Sequence, residues 1–297
     1  KIDAMKDKDR TYLAHEYLNG TWQPLFFTDV AAEMAAAKLD YVGSAALLEN
    51  FEGLTLPQKA RQAVQRTNDT AFRELLKDYA INQQFRRDVY VKGARPMTEL
   101  AKQEALRAIR FAPLTTRDAM SFKFKMPQGE AEGQKDVYAP IADALAEGPQ
   151  SMGGLAETTG IELGKVMQAC AALTSSGQIH PAAGVSDPAP AERLNRAVAR
   201  RVLMGEPYRY LVAPAIANGI NAGDVDITAL QAIQEDGVDD ADGLAQAVWE
   251  RFKPIGRRLV KDGEALRGDE ANLAELRERA RTIVADQVPI WRELGVL

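Results

Sequence analysis

The sequence has one cysteine and two histidines in 297 residues. A lone thiol, Cys170, excludes an intramolecular disulfide and any Cys-rich metal knuckle, and it fits a reducing, cytoplasmic setting. His15-Glu16 opens like a zincin helix, but the second histidine that the pattern requires is replaced by Asn19, and His180 lies far away. His15 therefore reads as a structural or interface histidine. No apolar run approaches the roughly 18 residues that cross a bilayer, so no membrane insertion is expected. The charged stretch from Lys1 to Arg10 leads into no apolar core, which excludes a signal peptide. Position 1 is Lys, and the chain reads as a piece of something longer. A net charge of -5 argues against a surface built for nucleic acid or anionic membrane.

The loops that hold cofactors are absent as well. Neither Gly-x-x-x-x-Gly-Lys nor Gly-x-Gly-x-x-Gly occurs, and Met152-Gly153-Gly154 opens a short helix with no strand before it. The acidic-x-Gly-x-Gly loop that closes a strand in S-adenosylmethionine-binding folds is missing. No Gly-x-Ser-x-Gly elbow is present. Cys170 lies on the inward stripe of its helix, where a thiol acts as a small apolar residue. Asp224 and Asp226 lack the spacing of an EF-hand. No catalytic, cofactor-binding or metal-ligating residue is assigned to this chain.

What is present is a globular composition, 46% apolar and 27% charged, of a length for two or three compact units. Charge is segregated. Leu56 to Arg95 holds nine basic residues against four acidic ones, and Asp224 to Gly243 holds seven acidic and no basic ones. Such blocks are solvated faces, or they meet each other or a partner domain.

Periodicity predicts helices over 28–39, capped by Thr28, over 56–66 with Pro57 in the first turn, and over 68–82, capped by Asn68 or Asp69. The last carries Phe72, Leu75, Leu76 and Tyr79 on one face. Residues 40–43 and 85–91 read as extended. Alternation of Phe122, Phe124 and Met126 with Ser121, Lys123 and Lys125 predicts a half-buried strand, followed by a polar loop over 129–135. From Val137 to Pro181 the order is helix, short helix capped by Ser151 and closed by Gly160, helix over 162–175, then a strand from Gln178. That is the order of a winged helix. The segment has one basic residue, Lys165, against Asp143, Glu147, Glu157 and Glu162, a balance that repels a duplex. Further helices are predicted over 191–203, 227–234, 244–253 and 270–287.

Tyr12-Leu13-Ala14-His15-Glu16-Tyr17-Leu18, followed by Trp22-Gln23-Pro24-Leu25-Phe26-Phe27, resembles the opening of the methyltransferase regulatory domain. That domain follows the catalytic domain in a family of bacterial class I methyltransferases that includes protein-lysine methyltransferases of rickettsial type. The resemblance continues through Leu39-Asp40-Tyr41-Val42-Gly43 and Phe72-Arg73-Glu74, and ends in Phe85-Arg86-Arg87-Asp88-Val89-Tyr90-Val91-Lys92-Gly93. It covers residues 11 to 95. The strand around Phe122 and the helices from Val137 are similar to the family's C-terminal winged-helix region. The resemblance implies that S-adenosylmethionine is bound by an upstream domain that this chain lacks.

The combined expectation is an α+β, mainly α chain: a regulatory domain over 1–95, a strand plus winged-helix-like domain over 96–188, and a helical region over 189–297. Its function is the non-catalytic regulatory and substrate-recognition portion of a methyltransferase acting on protein lysine. Its partners are the upstream methyltransferase domain and a protein substrate, with no nucleic acid. The alternative is a free-standing winged-helix regulator that binds nucleic acid. Candidate contact residues are Tyr12, His15, Glu16, Tyr17, Trp22, Phe26, Arg86 and Arg87. The aromatics among them supply either an interface or the first unit's own core.

Overall fold

The structure is a computed structural model that describes all residues except 1, 2, 7, 22, 127, 128, 185 and 186. Trp22 therefore lies outside the described residues. The chain is α+β and mainly helical, with small antiparallel sheets. It divides into two compact units, Lys1–Pro96 and Met97–Leu297.

The first unit runs α1 (Asp3–Lys6), α2 (Arg10–Tyr17), α3 (Phe27–Ala36), β1 (Leu39–Ser44), α4 (Glu52–Thr55), α5 (Gln58–Val64), α6 (Thr70–Ile81) and β2 (Asp88–Lys92). β1 and β2 form an antiparallel pair with Tyr41 opposite Tyr90 and a register shift between Tyr41 and Gly43. A side chain at Gly43 would start 2.9 Å from the Asn50 amide oxygen, which accepts the Ser44 N–H, so the shift needs glycine there. α3 packs on β1 and on α6. Two sequence expectations are corrected here, and one pair of alternatives is resolved. Helix α3 starts one residue before Thr28, with Phe26 at the cap position and no side-chain bond. The helix expected over 56–66 is shorter, α5 over Gln58–Val64, because Pro57, with no N–H to donate, stands at its cap position and not inside its first turn. Asp69, rather than Asn68, caps α6 by accepting the Phe72 N–H.

The second unit begins with α7 (Glu99–Ala108), β3 (Arg110–Pro113), β4 (Lys123–Met126), β5 (Gly129–Glu132), α8 (Lys135–Ala146), β6 (Gln150–Ser151), α9 (Met152–Thr159), α10 (Leu163–Ser175) and β7 (Ile179–Pro181). Here β3 is the centre of a three-stranded antiparallel sheet in the order β6-β3-β7. Proline in a central strand normally removes a ladder bond. β6 reaches only Arg110 and Phe111, however, so Pro113 lies beyond its end. α8, α9 and α10 pack together and bury Ile141, Leu145, Leu155, Val166 and Leu173. Ser151 caps α9 by accepting the Gly154 N–H, and Gly160 closes it in the left-handed conformation at φ 68°. The expected loop after Met126 is instead β5, which pairs with β4 as a hairpin and leaves all four of its residues exposed. Ladder bonds, not burial, make this strand, so no hydrophobic alternation marks it.

The unit continues with α11 (Ala189–Leu203), β8 (Tyr210–Ala213), β9 (Asn218–Asn221), α12 (Asp224–Asp236), α13 (Ala241–Phe252), β10 (Val260–Lys261), β11 (Glu264–Ala265), α14 (Asp269–Thr282), a π-helical turn at Ile283–Gln287 and α15 (Val288–Glu293). Leu211, Ile227, Leu230, Leu244, Trp249, Phe252, Leu276 and Trp291 anchor one core, which Ala112 of β3 also joins. No described helix is long and apolar enough to cross a membrane.

Candidate functional site

Glu74, Lys77 and Asp78 stand three and four positions apart on α6 and so share one face. Asn82 adopts the left-handed conformation at φ 53°, which ends α6 and turns the chain back. The returning segment places Arg86 against that face.

The Arg86 guanidinium is then surrounded by acceptors. Its Nη1 donates to Asp78 Oδ1 at 2.5 Å, its Nη2 to Glu74 Oε2 at 2.8 Å, and its Nε to both Asp88 oxygens at 3.1 and 3.0 Å. Lys77 donates to the other Glu74 oxygen at 2.7 Å, and the Tyr41 hydroxyl donates to Glu74 Oε2 at 3.0 Å. The guanidinium carbon lies 4.2 Å from the centre of the Phe27 ring, which packs edge-on against Tyr41. A cation here is held by charge and by the aromatic face together.

The pKa directions follow from this geometry. Burial raises the Glu74 carboxyl, but bonds from Lys77 and Arg86 outweigh it and leave the group below the ordinary carboxylate range. Asp78 moves the other way: burial raises it, Arg86 offsets this only in part, and Glu74 and Asp88 add repulsion. Burial, reinforced by Glu74, raises the Tyr41 hydroxyl. The Arg86 guanidinium is held above its ordinary value, because its carboxylate partners overcome the effect of burial.

Alongside this cluster runs an open groove of about 580 Å³, bounded by α3, the C-terminal half of α6 and residues 82–90. That size suits a small ligand or a few side chains. Phe27, Val30, Met34 and Leu75 supply its apolar lining, and Asp78, Arg86 and Asp88 its polar end. Phe26 and Tyr79 stand at it with ring centres 6.3 Å apart and planes tilted by 35°.

The structure brings Phe26 and Arg86 to this groove. Tyr12, His15, Glu16 and Tyr17 all lie exposed on α2, a helix with no buried residue, and none of them lines the groove. The Tyr12 and Tyr17 rings meet edge-on at 6.4 Å. Arg87 is exposed, and its carbonyl accepts the Ala45 N–H. Sequence reasoning missed Tyr41, Glu74, Asp78 and Tyr79. The signal for them was the acidic pair four apart on α6, opposite a basic residue just before β2. His180 in the second unit is engaged with Asn218 and with the Pro181 carbonyl. Among the described residues, no group of three or more His, Cys, Asp or Glu is placed to hold a metal ion.

The groove and its ion cluster lie in a segment with known relatives. Residues 9–92 match the predicted methyltransferase regulatory domain. That regulatory domain contains every residue of the Arg86 cluster. Over its whole length the chain is 32% identical to an uncharacterized protein of Synechocystis sp., and it spans 59% of that protein. The fold is similar to that of PKMT2 from Rickettsia typhi in complex with AdoHcy, at a TM-score of 0.57 and 15% identity. That match covers 95% of this chain and 60% of the other. A second structure of PKMT2 from the same organism matches 99% of this chain and 63% of that one, at a TM-score of 0.57 and 16% identity. The chain thus spans about three-fifths of the length of the proteins it resembles.

Proposed function

We propose that this chain is the non-catalytic, substrate-recognising portion of an S-adenosylmethionine-dependent methyltransferase that acts on protein lysine. One observation carries the reading: the regulatory domain turns its aromatic side outward. α6 buries Glu74 and Lys77 while Phe72 is 48% and Tyr79 66% exposed, and Phe26 beside it is 57% exposed. An uncovered apolar patch on a folded unit marks an interaction surface. Its covers are the upstream methyltransferase domain, which supplies the cofactor, and the protein substrate. The similarity to PKMT2, solved with AdoHcy, supports that assignment. Tyr12, His15, Glu16, Tyr17, Trp22 and Arg87 are assigned to the contact with the upstream domain.

In this reading residues 1–95 are the regulatory part, 96–188 a winged helix used for protein contact, and 189–297 its helical support. α8, α9 and α10 over the β6-β3-β7 sheet supply the winged-helix elements. The exposed Lys165 on α10 is outnumbered by its acidic neighbours, which favours protein over nucleic acid as the partner. The assembly is assigned to the cytoplasm.

The test compares methyl transfer from labelled S-adenosylmethionine to lysine-bearing protein by three samples: the upstream domain alone, this chain alone, and the two joined. Transfer only by the joined protein, together with no heat of cofactor binding to this chain, is the expected outcome. Transfer by this chain alone, or equal transfer with and without it, would refute the proposal.

A further inference from the structure

The Phe26–Tyr79 groove combines three features suited to one kind of side chain. Its lining of Val30, Met34 and Leu75 accepts methylenes. At its mouth, two exposed rings 6.3 Å apart offer π faces, which attract a cation. Its lining also includes Asp78, whose Oδ1 accepts from Arg86. Among the described residues, nothing donates to Asp78 Oδ2.

Charge around Asp78 is not balanced. Glu74, Asp78 and Asp88 carry three negative charges against the two positive charges of Arg86 and Lys77. The Asp78 carboxyl is raised first by burial, and repulsion from Glu74 and Asp88 adds to it. The groove wall already holds one cation in the required way, since Arg86 lies on the Phe27 ring and among carboxylates. An anionic or purely apolar occupant would leave this polar end unmatched.

We propose that the groove is a docking site for a lysine side chain of a partner polypeptide, its methylenes on Met34 and Leu75, its ammonium between the Phe26 and Tyr79 rings and Asp78 Oδ2. The proposal deepens the reading of this chain as a substrate-recognising portion. It places recognition of the methyl acceptor outside the catalytic domain.

The probe is a fluorescein-labelled twelve-residue peptide with one lysine flanked by leucines, titrated with the full chain and followed by anisotropy. Neither cofactor nor catalytic domain is needed, so failure of the methyl-transfer test and failure of this one are distinguishable. Replacing the lysine by norleucine keeps the methylenes and removes the charge. Loss of one charge-assisted bond predicts about tenfold weaker binding. Asp78→Asn in the protein predicts a similar loss for the lysine peptide and none for the norleucine one. Phe26→Ala and Tyr79→Ala, both at exposed positions, each predict about a threefold loss or more. Unchanged circular dichroism and melting temperature in these variants confirm that the fold is kept. Equal affinity for the lysine and norleucine peptides, or no effect of Phe26→Ala and Tyr79→Ala, would overturn the proposal. So would tighter binding of a glutamate peptide, or sedimentation showing that a second copy of the chain fills the groove and excludes the peptide.

Discussion

Replacing Arg86 by Met removes the hub of the first unit while keeping most of its aliphatic volume. Glu74, Asp78 and Asp88 then lose their shared partner, while Lys77 and the Tyr41 hydroxyl stay bonded to Glu74. The four side chains of the cluster are 11–19% exposed, so solvent screens them only partly. Breaking a buried pair from one side costs about 3–5 kcal/mol, and the residual exposure points to the lower end, about 3 kcal/mol. For a unit of roughly a hundred residues, each kcal/mol shifts the midpoint by about 4–8 °C, so the transition falls by about 15 °C. Scanning calorimetry of the whole chain reads this directly: the first unit's transition moves and that of the second stays. The pH dependence supplies a second check. Glu74 is held low in the folded protein, so its contribution is present above its unfolded value of 4.5 and is lost as pH falls through the folded value. Asp78 is raised and acts in the opposite sense, contributing at low pH and losing that contribution as pH rises. In the variant, acidification neutralises the stranded carboxylates. The gap between wild type and variant therefore closes below about pH 4.5. A drop under about 1 kcal/mol at neutral pH, or a gap independent of pH, would show that these charges do not hold the unit together.

Three further outcomes are expected. Burial pushes the Cys170 thiol up to about 12, so its thiolate fraction at pH 8 is about a thousandfold below that of a free thiol; iodoacetamide should label it only after unfolding, and rapid labelling of the native chain would contradict this. Asn272 is fully buried, accepts the Leu259 N–H at 2.9 Å and donates to the carbonyls of Leu266 and Gly268 at 3.2 and 2.7 Å. Asn272→Ala should therefore cost the second unit about 2–3 kcal/mol in urea unfolding, and a loss under about 0.5 kcal/mol would show that the loop before α14 does not depend on it. Gel shifts with random duplex should show no specific complex near about 10⁻⁸ M at physiological salt; one that is lost in Lys165→Ala would restore the transcription-regulator reading.

Local patterns carried many of the helices, though α2 and α7 were not expected. α8, α9 and α10 lie close to the places where spacing and caps put them, because a helix announces itself within a few turns. Several of the strands did not announce themselves, β3 and β5 among them. β3 contains Pro113 and is a strand only because β6 and β7, each more than thirty residues away, supply its ladder. β5 is fully exposed and owes its conformation to β4.

The candidate site divides in the same way. Aromatic content near the N-terminus and the Arg86-Arg87-Asp88 run were visible in sequence, and both lie in the unit that holds the groove. Which face of α6 is inward was not. Its apolar residues favoured Phe72 and Tyr79, yet the buried positions are Glu74 and Lys77. By itself the sequence determined the class of the chain, many of its helices and the resemblance of its first unit to a methyltransferase regulatory domain. The tertiary structure alone decided that Arg86 returns to α6. A guanidinium shared by three carboxylates and laid on Phe27 offsets the burial of charge, and that leaves the neighbouring rings free to face outward.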